Sequence, residues 1–167
     1  YILKTIDYLT SNEQIPSSVI ISIQSSLENR YKETQLEISD DNVLGSKNEL
    51  FILKELIPYI QKRYKTILFN ILIGHSRYGY FTSYLLSKYP HDIHAVIAAS
   101  PFLSQKKVCL VDSICNIKKT YSSNKTLYYR FGIGNDYPED FMKLDSALKK
   151  TPNNLKVSFK GFFFKEA

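Results

Sequence analysis

Short apolar runs, separated by segments with helical spacing, are the feature that most restricts what this chain can become. The runs are Val19-Ile20-Ile21-Ser22-Ile23, Phe69-Asn70-Ile71-Leu72-Ile73, Ala95-Val96-Ile97-Ala98-Ala99, Thr126 to Phe131, and Leu155, Val157 and Phe159 in alternation. Runs of this length and composition read as buried strands. Strands that alternate with helices imply a mostly parallel sheet with helices on both faces, an α/β architecture.

The intervening segments fit. Tyr1 to Leu9 places Ile2, Ile6 and Leu9 at helical spacing, and Ser11-Asn12 ends it. Ser46 and Glu49 form a Ser-x-x-Glu capping box, the signature of a helix start. Leu50, Leu53, Ile57, Ile60 and Tyr64 then follow along one face, with Pro58 expected to kink the helix. A third helix spans Tyr78 to Lys88 and stops at Pro90, and Phe141, Leu144 and Leu148 mark a fourth. Residues 24–45 read as a long polar loop, 102–123 as mixed structure, and Gly161 as a bulge or bend before Phe162-Phe163-Phe164.

Composition bounds the rest. A chain of 167 residues can bury the core of one domain, and no linker divides it. No apolar stretch reaches the ~18 residues that a membrane span needs. The net charge of +6 comes from 22 basic and 16 acidic residues, scattered apart from pairs such as Lys106-Lys107 and Lys118-Lys119. That pattern reads as a mildly basic surface, not a nucleic-acid footprint. Cys109 and Cys115 lie six apart with no nearby histidine, which is not a zinc spacing, so two unpaired or buried thiols are expected. The chain opens on Tyr without a basic-then-apolar leader, and its compartment and oligomeric state stay open.

Chemistry concentrates in Gly74-His75-Ser76-Arg77-Tyr78-Gly79, between a strand and a helix. A serine hydroxyl needs a base to become a nucleophile. A sharp strand-to-helix turn presents its Oγ where a base can reach it, and the next backbone N–H, that of Arg77, heads a helix and can donate to an oxyanion. Gly74 and Gly79 leave room for strand and helix to approach. The common pattern is Gly-x-Ser-x-Gly, whereas Tyr78 occupies the second glycine position here and Gly79 follows it. The competing reading is a serine that merely caps the helix.

Further stations line up with this turn. They are Ile15-Pro16 before the first run, Asn29-Arg30, Glu55-Leu56-Ile57-Pro58-Tyr59-Ile60, Tyr89-Pro90, and Ala99-Ser100-Pro101. In order and spacing the chain resembles the putative-esterase family of α/β-hydrolases, which includes enterochelin-esterase-like and esterase-D-like enzymes. The resemblance implies an α/β-hydrolase-like fold with Ser76 as nucleophile, Asp136 as the acid after Phe131-Gly132-Ile133-Gly134-Asn135, and Glu139 as the next candidate. It places Arg30 near the rim of the site, although a lone Arg in a polar loop is more often a solvated charge. Tyr78 and Phe102 are candidates for the substrate cleft.

The base is the missing part. His75 adjoins the nucleophile but is expected to pack or hydrogen-bond elsewhere, and His91 and His94 are expected at the surface, at the opposite end of the strands. The resemblance puts the catalytic histidine after the last strand, beyond Ala167, and the first strands before Tyr1. The expectation is therefore a single, partial α/β-hydrolase domain over 1–167, inactive as this fragment. Three functions follow: a serine hydrolase of small carboxylic esters, an acyltransferase of the same fold, or a non-catalytic binding module. None needs a metal or organic cofactor.

Overall fold

The computed structural model describes residues 2–24, 44–101, 113–114, 117, 127–133, 142, 146 and 157–163. Four strands form one sheet in the order β1 (Ile71–His75), β2 (Ala95–Ala99), β3 (Leu127–Ile133) and β4 (Val157–Phe163). Every neighbouring pair is parallel. The helices are α1 (Ile2–Ser11), α2 (Leu44–Leu50), a π-helical stretch Phe51–Leu56, α3 (Ile57–Tyr64) and α4 (Arg77–Lys88).

Four of the five apolar runs are strands, and the first is not. Residues 16–24 have no regular structure and are exposed, with Ile23 at 54%. A β-branched run becomes a strand only where a neighbour accepts its ladder, and none of the described strands does so. Gly161 neither bulges nor bends its strand. It pairs in register with Phe131, and β4 runs on to Phe163.

The second helix also departs from expectation. It begins at Leu44, so Ser46 lies within it and not at its start. Pro58 cannot donate to the carbonyl of Lys54, and its ring needs room there. The chain supplies that room by widening into the π-helical stretch, where the Ile57 N–H donates to the carbonyl of Ile52, five residues back. The widening breaks the single apolar face. Ile52 and Leu53 are buried, whereas Leu50 and Tyr64 are exposed.

Glu49 has a different task from capping. Its carboxylate is buried and accepts hydrogen bonds from the Lys88 ammonium, at 2.7 Å, and from the Tyr89 hydroxyl. It thus ties α2 to the end of α4. Burial alone would lower the Lys88 pKa, but hydrogen bonds to Glu49 and Tyr84 outweigh it and hold the pKa above the usual 10.5. Burial, then the bond to Glu49, raises the Tyr89 hydroxyl as well. Both groups keep their protons longer folded than unfolded. Their contribution is therefore complete below about pH 10 and is lost as pH rises through the folded values. Lys88→Met, which leaves the Glu49 carboxylate without its cation, is expected to cost about 2 kcal/mol in urea unfolding. A midpoint equal to wild type would show that the tie carries no weight.

The core lies between α4 and the sheet. Tyr80, Phe81, Leu85 and Leu86 of α4 are buried with Val96 and Ala98 of β2. Each such leucine contributes about 2 kcal/mol by leaving water. Ile93, Ile114, Ile117 and Leu127 are also buried. On the other sheet face Ile71, Ile73, Ile97 and Tyr128 are exposed among the described residues.

Candidate active site

Ser76 sits one residue past the end of β1 and one before α4, in a conformation that L-residues rarely adopt: φ 54°, ψ −118°. Two backbone bonds hold it there. Its N–H donates to the Ala99 carbonyl at 2.9 Å, the last rung to β2, and its carbonyl accepts from the Tyr80 N–H at 3.0 Å, the first rung of α4. Sheet and helix therefore share this residue, and the sharp turn is the result. Such a conformation costs about 1–3 kcal/mol and persists only where surrounding structure enforces it.

Ser76 occupies the N-cap position of α4, yet its side chain makes no capping hydrogen bond. A capping serine has extended backbone and bonds the second or third helical N–H. Ser76 does neither, and the residue is exposed.

The two glycines explain how the turn closes. A Cβ on Gly74 would lie 2.3 Å from the Tyr78 carbonyl oxygen and 2.8 Å from the Gly79 nitrogen. A Cβ on Gly79 would meet Pro101 Cα at 3.2 Å and the Ala99 oxygen at 3.3 Å. The glycine displaced by one position from the common pattern thus lies where α4 crosses the sheet end. Tyr78 is half-buried beside it.

The histidines fall into two groups. His75 is exposed, on the sheet face it shares with Ile71 and Ile73, which excludes the packing half of the packing or hydrogen-bonding role expected for it. His91 is exposed as expected, but His94 is buried, not a surface residue. Its Nδ1 accepts the Asn70 N–H at 3.1 Å and its ring stacks on Phe69. Both lie before β2, at the sheet end opposite Ser76. An imidazole that accepts at Nδ1 carries its proton on Nε2. His94→Ala is expected to destabilise the protein by about 2 kcal/mol, since it orphans the Asn70 N–H and empties the stack. Denaturant unfolding would check this, and an unchanged midpoint would reject it.

Arg77 opens α4 and is half-buried. Arg30, Phe102, Asp136, Glu139, Cys109 and Cys115 lie outside the described residues. β3 ends at Ile133, three residues before Asp136. Among the described residues no His, Cys, Asp or Glu cluster could hold a metal, and no helix is long and apolar enough to cross a membrane.

Sequence analysis missed one residue at this end of the sheet. Ser100 follows β2 as Ser76 follows β1, and it too has a positive φ, 42°. Serine before proline carries no pattern that announces such a conformation.

A parallel sheet whose strand enters a strained, exposed serine and then a buried helix is the arrangement of an α/β-hydrolase. The sequence model of the family described as "Putative esterase" matches residues 3–154, and the chain belongs to that family. No curated protein matches it in sequence. Solved structures match it in fold. The siderophore hydrolase EstB from Aspergillus nidulans aligns at 18% identity over 83% of this chain and 58% of its own, with a TM-score of 0.62. The BES protein from Bacillus cereus aligns at 17% identity over 86% and 60%, with a TM-score of 0.61. A ferulic acid esterase aligns at 17% identity over 70% and 52%, with a TM-score of 0.53. The chain thus spans little more than half the length of these structures.

Proposed function

We propose that the protein hydrolyses small carboxylic esters through an acyl-enzyme on Ser76. The observation that carries this reading is the conformation of Ser76: strained, exposed, fixed at both backbone ends and not used as a cap. Strain of this kind, paid for by the fold, suits a residue held out for chemistry. The family assignment and the esterases among its structural neighbours support the same reaction class.

In this mechanism Ser76 Oγ attacks the ester carbonyl while a base takes its proton. The Arg77 N–H, at the positive end of α4, donates to the oxyanion. The alcohol leaves with the proton, and water repeats the sequence on the acyl-enzyme. Asp136, or Glu139 in its place, orients the base. Arg30, Tyr78 and Phe102 are assigned to the cleft. His91 and His94 lie at the sheet end opposite Ser76, so neither is assigned as the base.

Labelling with a fluorophosphonate tests the reading. The adduct is expected on the peptide that contains Ser76, and ester cleavage in the presence of added alcohols is expected to give mainly free acid. Labelling elsewhere would overturn the assignment. Predominant transfer to the alcohol would make the protein an acyltransferase.

A further inference from the structure

Among the described residues, four that are not glycine have a positive φ: Glu13, Lys65, Ser76 and Ser100. Two need no special account. Lys65 is the left-handed C-cap of α3, and Glu13 lies just after α1, where its N–H donates to the Thr10 carbonyl. Left-handed residues end helices routinely. The other two lie together. His75 pairs with Ala99 in the last register step of β1 and β2, so Ser76 and Ser100 each follow the last paired residue of adjacent strands.

Ser100 does not end a helix; it follows the last residue of β2. What it does is visible in its neighbours. Ala99, before it, accepts the Ser76 N–H, and Pro101, after it, is buried with its Cα against Gly79. The positive φ of Ser100 is the bend between these two contacts. One contact holds the N-terminal side of the nucleophile turn and the other holds the first turn of α4.

We infer that Ser100 is a positioning residue for Ser76, and that its backbone conformation, not its hydroxyl, seats the nucleophile turn by bringing Pro101 under Gly79. This inference rests on Ser76 being the nucleophile. It goes beyond that assignment by naming a second strained residue, on a different strand, that sets where Oγ stands.

The two candidate roles of Ser100 make opposite demands on substitution. Glycine adopts a positive φ freely but has no hydroxyl. Threonine keeps the hydroxyl, but a β-branched residue at a positive φ is an outlier. Alanine resembles serine in backbone preference and lacks the hydroxyl. The experiment measures the rate of fluorophosphonate labelling at Ser76, together with kcat and KM on an activated ester and the melting temperature. Ser100→Gly and Ser100→Ala are expected to label within about threefold of wild type. Ser100→Thr and Ser100→Val are expected to label about 100-fold more slowly, the loss that a misplacement of about 1 Å brings. That loss should fall on kcat, with KM within about twofold of wild type. Ser100→Thr at wild-type rate, or Ser100→Ala as slow as Ser100→Val, would overturn the inference. Should Ser100→Val fail to fold, the Gly and Thr pair still decides it. Ser76→Ala in the same assay separates the two levels: if it labels normally, the nucleophile assignment itself is wrong, whatever Ser100 does.

Discussion

Ser76→Ala is expected to abolish fluorophosphonate labelling and to lower ester turnover by about 10⁴-fold or more, the scale on which loss of a nucleophile is felt. Stability should stay within about 0.5 kcal/mol of wild type. Alanine carries the same Cβ as serine and suffers the same positive φ of 54°. The lost hydroxyl also makes no capping bond, so the helix loses nothing. Ser76→Gly sharpens the contrast. Glycine accepts this backbone without penalty, so it should be equally inactive yet about 1 kcal/mol more stable. An inactive protein that gains stability is what a strained functional residue predicts. If both variants instead lose stability by 1 kcal/mol or so, about the worth of a cap, the serine was capping α4 after all and the nucleophile assignment weakens. Turnover on an activated ester and urea midpoints for the two variants check both halves.

Local pattern reached some elements and not others, and the division is physical. β2 was legible to the residue, because Ala95–Ala99 is a compact apolar run ended by Ser100-Pro101. The Gly74–Gly79 turn was legible because its glycines are demanded by local crossing geometry. The Val19 to Ile23 run had the composition of a strand but not a described neighbour to pair with, and pairing is a property of the sheet, not of the run. Glu49 was read as half of a capping box because its real partners, Lys88 and Tyr89, are about forty residues away. His94 was expected at the surface, before the strand and opposite the site, yet its place one residue before β2 stacks it on Phe69, where the Asn70 N–H needs an acceptor. Ser100 was invisible because its conformation is imposed by Ala99 and Pro101 docking on the neighbouring turn.

The second large effect is structural. Gly74→Ala is expected to cost about 3 kcal/mol, at the upper end for overpacking, and to lower the melting temperature by about 10 °C. The reason is the identity of the atoms that an added methyl meets. They are the Tyr78 carbonyl oxygen at 2.3 Å, the Tyr78 carbonyl carbon at 2.5 Å and the Gly79 nitrogen at 2.8 Å. All are backbone, so no side chain can swing aside. Gly74 itself has no positive φ, so the penalty is steric and not conformational. Relief requires the start of α4 to move off β1. That movement strains the Tyr80 N–H bond to the Ser76 carbonyl, and with it the turn that holds Ser76. Activity should therefore fall even at temperatures where Gly74→Ala remains folded. Gly79→Ala gives the graded comparison: its nearest contact is 3.2 Å, to Pro101 Cα, and a shift of a few tenths of an ångström relieves it. A cost of about 1 kcal/mol is expected there. Equal stability for Gly74→Ala and wild type would mean that strand and helix can separate freely. In that case the close crossing could not be what holds Ser76 in its strained conformation.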